Sequence, residues 1–307
     1  MAAAKPVRVC VELYMLQQIY GDFMAAVAVA ELADRKGVDF VSISDHVIIH
    51  KSYAERDTFG ARHVDLDAPW PEPIVLLSYV AARTRSIRLT TGVMIASMRH
   101  PALLAKQLAT LDYMSGGRLE IGLGIGSQKV EFDAMNIPFE GRYGRFDELL
   151  DTCTLLWTQA PADYEGRHNR FADMYSLPFP RQPGGVPIWL GLKSLTEKNL
   201  ARIARYGQGW IAASMNPDVV IADIRKIKDA LVAHGRDPED FEFRAPLPAP
   251  MIVAGRYDLD GSFAQAERLI EGGATVLTVA PSIHCENADQ VEELIDRLVA
   301  LKHQAQG

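Results

Sequence analysis

The stretch SIRLTTGVMIASMRHPALLAKQLATLDYMSGGRLEIGLGIG, residues 86–126, decides the fold. It opens as a β-branched run that reaches Thr91-Gly92-Val93 and then starts a helix at His100-Pro101. It continues through Ser115-Gly116-Gly117-Arg118 into a second apolar run ending on Gly122-Leu123-Gly124-Ile125-Gly126. Strand, helix and strand in this order make one parallel βα crossover, because proline pre-sets the φ of a first helical turn and parallel strands need a crossover segment. Glycine at a strand end removes the Cβ that would hold other groups away. Both strand ends are therefore expected to lie against a ligand.

Working outward, the same unit repeats along the chain. Apolar, β-rich runs recur at residues 7–13, 39–44, 87–94, 119–123, 187–190, 209–213, 251–254 and 276–280, and segments of helical period begin near Asp22, Pro73, Pro101, Tyr143, Leu195, Pro217, Ser262 and Asn287. Eight strands alternating with eight helices in 307 residues predict an α/β fold, a (β/α)8 TIM barrel, in preference to a doubly wound sheet. The whole chain, 1–307, is expected to be one such domain. Two segments exceed plain connections, residues 47–72 after strand two and residues 159–186 before strand five, and both are expected to be active-site insertions. The glycines of Gly122-Leu123-Gly124-Ile125-Gly126 follow the fourth strand and lack the dinucleotide spacing, so they read as a floor for a flat ring instead.

Composition narrows the classes of partner. A net charge of −7, with no Lys/Arg-dense face carrying interleaved aromatics, argues against nucleic acid. Cys10, Cys153 and Cys285 are far apart and form no CxxC pair, which suggests neither disulfides nor zinc and fits a reducing compartment. The start of the chain lacks a signal-peptide core and the apolar runs are too short to span a bilayer, so a cytoplasmic protein with no membrane contact is expected. His50, His63, His100, His168 and His284 show no paired ligand spacing, and no metal is expected. Arg83, Arg85 and Arg88 read as a solvated helix end.

In a barrel, chemistry sits at the C-terminal ends of the strands. The candidates there are Glu12 to Met15, Asp45-His46, Gly92-Val93, Gly124 to Ser127, Gly191 to Ser194, Ala213-Ser214 and Pro281-Ser282. A carboxylate beside an imidazole can accept hydrogen bonds from a ring edge while the imidazole moves a proton. The plain alternative is a loop-capping Asp and a satisfied, half-buried His.

These residues resemble a known family. Ser44-Asp45-His46, Thr91-Gly92-Val93, His100-Pro101, Ala105-Lys106-Gln107, Leu111-Asp112, Ser115-Gly116-Gly117-Arg118, the Gly122 to Gly126 run, Glu131-Phe132, Arg145-Phe146-Asp147-Glu148, Pro187-Ile188-Trp189-Leu190-Gly191 and Tyr206-Gly207-Gln208-Gly209-Trp210 together resemble the luciferase-like monooxygenase superfamily. Its members are TIM-barrel enzymes that use FMN or the deazaflavin coenzyme F420. Asp45-His46 after a strand looks like the F420 branch. The resemblance implies a cofactor site of Asp45, Gly92, Val93, Ile95, Ile125, Gly126, Ser127, Gly191, Leu192, Lys193 and Ser194, and a cis peptide between Gly92 and Val93 that backs the central ring. It implies His46 as the proton donor, with Ser127 as a relay. Gly191-Leu192-Lys193-Ser194, read as opening the helix after strand five, resembles the family's phosphate-binding turn, where helix N–H groups with Lys193 and Lys198 meet an anionic tail.

Departures from the pattern shape the substrate. Relatives that oxidise sugar phosphates carry Glu where this chain has Ser127 and Lys where it has Asn216, so a sugar phosphate is not expected. Glu131, four residues beyond Ser127, reads as part of the next helix. Tyr14, Met15, Tyr53, Phe59, Trp70 and Met98 suggest apolar pocket walls. The implied activity is hydride exchange between the deazaflavin C5 and a small organic substrate, with an FMN-dependent monooxygenase and a non-catalytic flavin-binding barrel as alternatives. The resemblance also implies a homodimer.

Overall fold

The structure, a computed structural model, describes residues 5–51, 66 and 69–305. Its strands are β1 Arg8–Glu12, β2 Phe40–Ile43, β3 Arg88–Thr91, β4 Met94–Ile95, β5 Ile121–Gly124, β6 Ala162–Glu165, β7 Arg170–Met174, β8 Ile188–Leu190, β9 Gly209–Ile211, β10 Glu242–Pro246, β11 Met251–Val253, β12 Arg256–Asp258 and β13 Val276–Val279. Nine of them form one parallel sheet in the order β3-β2-β1-β13-β10-β9-β8-β5-β4. A parallel bridge between Leu89 and Leu119, with Glu120 N donating to Leu89 O, joins the two ends of that sheet. β3 and β4 are two pieces of one strand, so the closed sheet is the eight-stranded barrel of the sequence reading.

The helices are α1 Gln17–Tyr20, α2 Ala25–Lys36, α3 Pro73–Arg83, α4 Pro101–Ser115, α5 Lys129–Ala134, α6 Arg142–Thr158, α7 Glu197–Tyr206, α8 Pro217–Ala233, α9 Leu259–Phe263, α10 Gln265–Glu271, α11 Pro281–His284 and α12 Val291–Gln304. Local chemistry sets their ends. Proline opens α3, α4 and α8, and the Glu72 and Asn216 side chains accept from backbone N–H groups in the first turns of α3 and α8. α2 and α4 close on left-handed Gly37 and Gly116. Among the described residues no helix is long and apolar enough to cross a membrane.

Three expectations need correction. The seventh barrel strand is β10, not residues 251–254: β11 pairs antiparallel with β12 in a separate hairpin whose Met251, Ile252 and Val253 are all exposed. Arg244 and Glu242 hid the true strand, because a charged residue in a barrel strand breaks the apolar run on which the reading depended. Residues 159–186 do not reach the active-site face. They form the β6–β7 hairpin along α6, where Glu148 accepts from the backbone of Arg167, His168 and Asn169, and return to the foot of β5, where Gln182 donates to Leu119 O at 2.6 Å. Arg88 is no surface arginine either: it points into the barrel and pairs with Glu120.

Strand alternation separates two interiors. Val9, Val11, Val41, Leu89, Leu123, Trp210 and Leu277 face outward into the main core beneath the helices. Inside the barrel, the N-terminal end is polar: Arg8 pairs with Glu120 at 3.6 Å and Glu242 at 3.3 Å and lies 4.6 Å over the Phe40 ring. Above this, Cys10, Phe40, Trp189, Ile211 and Val276 make a small apolar layer that ends against Val93. Burial pushes the Cys10 thiol up to about 12, so it stays an unreactive thiol in the folded chain. Higher still, Arg244 pairs with Glu12 and donates from Nε to Thr278 Oγ1 at 3.0 Å. Burial pushes the Glu12 carboxyl upward, while the Arg244 guanidinium and the Ser42 hydroxyl pull against it.

His284 closes α11 in the interior, 1% exposed, with Nδ1 3.0 Å from Ala280 O. Burial holds its imidazole below the ordinary value of 6.5. The unfolded chain therefore takes up a proton that the folded chain refuses, and the stability present above that value is lost as pH falls below it. Urea unfolding at about pH 7.5 and about pH 5.5 should show wild type losing more than a His284→Asn variant; equal losses would reject the assignment.

Candidate functional site

The site is built around Val93. The Gly92-Val93 peptide is cis, as the resemblance implied, and it separates β3, which pairs with β2, from β4, which pairs with β5. The Val93 side chain enters the mouth of the barrel between two glycines: a Cβ on Gly124 would lie 2.6 Å from Val93 Cγ2, and one on Gly191 would lie 2.5 Å from Cγ1. These glycines make room for a valine, and the sequence reading gave that room to a ligand. Gly126 behaves alike. Its φ is +84°, and a Cβ there would stand 2.7 Å from Ile95 Cγ2. Gly92 lies over the Glu12–Arg244 pair, with Glu12 Oε1 2.5 Å from the position of a Cβ.

The result is a shallow apolar platform. Gly92, Val93, Gly126 and Gly191 stay partly exposed on it, whereas Ile95, Ile125 and Leu192 are buried as its support. Ile95 packs with Met98 and Phe132, so Met98 belongs to the support and not to a pocket wall. Tyr53, Phe59 and His63 lie outside the described residues.

Asp45 ties the end of β2 to this platform. Its Oδ2 accepts from Ile95 N at 2.8 Å and from Arg99 Nη1 at 2.5 Å, and its Oδ1 accepts from Arg99 Nη2 at 3.1 Å. Arg99 also reaches Glu72 at 3.1 Å. A bidentate guanidinium fixes both carboxylate oxygens in one plane, which makes Asp45 a rigid strut. Arg99 went unnoticed in the sequence, where it is one cation before a helix start.

His46 follows Asp45 at the rim. Its Nδ1 lies 2.6 Å from Glu131 Oε1, a carboxylate 1% exposed in the first turn of α5. The Trp70 ring meets the imidazole edge to face, with centroids 4.9 Å apart at 87°, and stacks on Tyr14 at 6.3 Å. The sequence reading placed Glu131 on the next helix, where it does lie, and missed its contact with His46. Its signal was the apolar Phe132 beside it, which is fully buried and turns this face of α5 inward.

The remaining positions gather less closely. Ser127 is exposed just past Gly126, and Gln128 beside it is buried. Gly191, Leu192, Lys193 and Ser194 do not open a helix: α7 begins at Glu197, capped by the Thr196 side chain, and Asn199 Nδ2 holds Ser194 O at 2.7 Å. Polar residues before a helix suit a loop as well as a first turn, and the better N-cap, Thr196, set the start. Asn216 is a helix cap, its side chain accepting from Asp218 N at 2.9 Å. Among the described residues no group of three His, Cys, Asp or Glu side chains is arranged to hold a metal ion.

Known proteins resemble this chain in sequence and in fold. Residues 12–258 match the family model for luciferase-like monooxygenases. The chain is 33% identical over 283 residues to Rv0953c, an uncharacterised protein of Mycobacterium tuberculosis, covering 89% of this chain and 92% of that protein. Among solved structures it is similar to the monooxygenase RslO1 from Streptomyces bottropensis, at 25% identity and a TM-score of 0.67 over 96% of this chain and 82% of the other. It shares its fold with an F420-dependent secondary alcohol dehydrogenase solved with an F420–acetone adduct, at 16% identity and a TM-score of 0.73 over 96% and 99% of the two chains. With its barrel and a matching stretch that runs from the end of β1 to β12, the chain belongs to the luciferase-like monooxygenase family.

Proposed function

We propose that this protein is an F420-dependent oxidoreductase acting on a small organic substrate at the C-terminal mouth of the barrel. The observation that carries the reading is the joint placement of an apolar platform and an acid/base side chain: Asp45 draws the β2 end onto Ile95, so His46 stands at the rim of the surface formed by Gly92, Val93, Gly126 and Gly191. A flat ring fits such a surface because the Cβ positions above the glycines are taken by Val93 and Ile95 and not by groups rising into the mouth. When bound, a deazaflavin supplies hydride transfer at C5. The chain would back the ring with Val93, present Lys193 and Ser194 to an anionic tail, and hold or move one proton at His46. The Asn216 cap supports a substrate other than a sugar phosphate, since the position taken by a phosphate-binding Lys in such relatives is occupied here by helix capping.

A second reading, reduced FMN with oxygen, is favoured by one observation. Both oxygens of Asp45 are already engaged by Arg99 and Ile95 N, so this carboxylate has less to offer a deazaflavin ring edge. Parallel fluorescence titrations of the cofactor-free protein decide between the two. The expected result is F420 binding at least tenfold tighter than FMN; FMN preference would overturn the F420 reading, and binding of neither would overturn both.

A further inference from the structure

One guanidinium joins three segments of the mouth that lie apart in the sequence. Arg99 Nη1 donates to Asp45 Oδ2 at 2.5 Å and to Ile95 O at 3.1 Å, while Nη2 donates to Asp45 Oδ1 and to Glu72 Oε1, both at 3.1 Å. Ile95 N also donates to Asp45 Oδ2, so this carboxylate, 3% exposed, has both oxygens engaged within the chain. Turning it toward a ring edge would leave Ile95 N and a guanidinium N–H buried without acceptors, a larger loss than one new hydrogen bond returns. Glu72 uses its second oxygen to accept from Val75 N at 2.9 Å as the cap of α3, and Trp70 stands two residues before it. The Trp70 ring meets His46 and Tyr14. Because His46 follows Asp45 directly, both partners of the Trp70–His46 contact ride on segments that Arg99 holds.

We propose that Arg99 is the positioning residue of this mouth: it keeps Asp45 as a strut that is no ligand of the bound ring, and through Glu72 it sets Trp70 against His46 as the side wall of the pocket. The strut and the wall rest on this chain alone, whereas a cofactor ring beside them rests on the proposed function. Arg99 acts through Asp45 and Trp70. Its planar fork suits the task, since it spans two carboxylates and a carbonyl at once, which the single point charge of a lysine does not.

The first arm needs no cofactor. Of the four tryptophans, Trp157, Trp189 and Trp210 are buried and Trp70 is partly exposed, so acrylamide quenching reads Trp70, and a Trp70→Phe variant gives the baseline. Glu72→Asp keeps a good helix cap but is one methylene too short to reach Val75 N and Arg99 together. It should raise the quenching constant about twofold with the melting temperature unchanged, as loss of a half-exposed ion pair allows. Arg99→Lys and Asp45→Asn should raise it as well. Unchanged quenching in Glu72→Asp and Arg99→Lys overturns the wall. Unchanged quenching in Asp45→Asn overturns the strut, because a residue that only binds a ring leaves Trp70 in place when no ring is present. The second arm titrates FMN and F420 into Asp45→Asn, Arg99→Lys and the double variant. Arg99→Lys should weaken binding of the cofactor that wild type takes by about tenfold, and the double variant should be no weaker than the weaker single, since the two residues act as one unit. Wild-type or tighter binding by Arg99→Lys, the result expected of an Asp45 ligand set free, also overturns the strut. Failure of wild type to bind either cofactor counts against the proposed function and leaves the quenching series to judge Arg99.

Discussion

Arg244→Met will destabilise the fold by about 3–5 kcal/mol, the largest loss expected of any conservative-sized substitution in this chain. The reason is the charge left behind. Glu12 is 8% exposed inside the barrel and Arg244 is 3% exposed, and the two meet beneath Gly92. Removing the guanidinium strands a carboxylate whose burial already opposes ionisation, and Thr278 loses its donor at the same time. The pair itself is a different matter from its broken half. Taking two charges out of water costs most of what their attraction returns, so Glu12→Leu combined with Arg244→Met should lie within about 2 kcal/mol of wild type. Urea unfolding of the two single variants and the double variant measures all three quantities. A single Arg244→Met variant as stable as wild type would show that water reaches this layer and that the pair is not load-carrying for the platform above it.

Gly191→Ala will also be damaging, by less, and its repair is specific. An alanine methyl at Gly191 would stand 2.5 Å from Val93 Cγ1, and the valine cannot yield toward Gly124, where Cγ2 already occupies the space of a Cβ. Overpacking of this kind costs about 1–3 kcal/mol and should tilt the platform on which the ring is proposed to lie. Val93→Ala removes both methyls. The double variant, Gly191→Ala with Val93→Ala, is expected to regain stability, giving a coupling energy of about 1–2 kcal/mol in a double-mutant cycle. Gly122→Ala makes the contrasting control, because its methyl would meet Thr91 O, a backbone atom fixed in β3 that no side-chain trim can move. If Val93→Ala failed to rescue Gly191→Ala, the glycine would owe its place to something other than the valine.

The alternation of strands and helices was legible because most barrel strands bury one face beneath helices and keep Val, Ile or Leu there, which marks β1, β2, β5 and β13 as apolar runs. β10 was not legible, since Glu242 and Arg244 pair with Arg8 and Glu12 of β1 inside the barrel and sequence alone does not show a charge being paired across it. The site divides the same way. Asp45 and His46 stand at a strand end, where the fold rule points. Glu131 reaches His46 across 85 residues of sequence, and only closure of the barrel brings the two together. The glycines were seen but their reason was not, because a missing Cβ marks close approach without telling which group approaches.

The platform also sets terms on how this site can change over generations. Asp45, His46, Arg99, Gly126 and Glu131 all belong to the first half of the barrel, while the turn carrying Lys193 and Ser194 belongs to the second. The proposed proton handling and the proposed anchoring thus fall in different halves. The two halves meet along β5 and β8 and along β1 and β13, and the Val93 isopropyl lodged against Gly191 is one tight steric contact between them. Exchange of the second half between relatives is therefore expected to need valine and glycine as a matched pair, and a chimera that brings a larger residue to position 191 would carry a misfit where Val93 meets it.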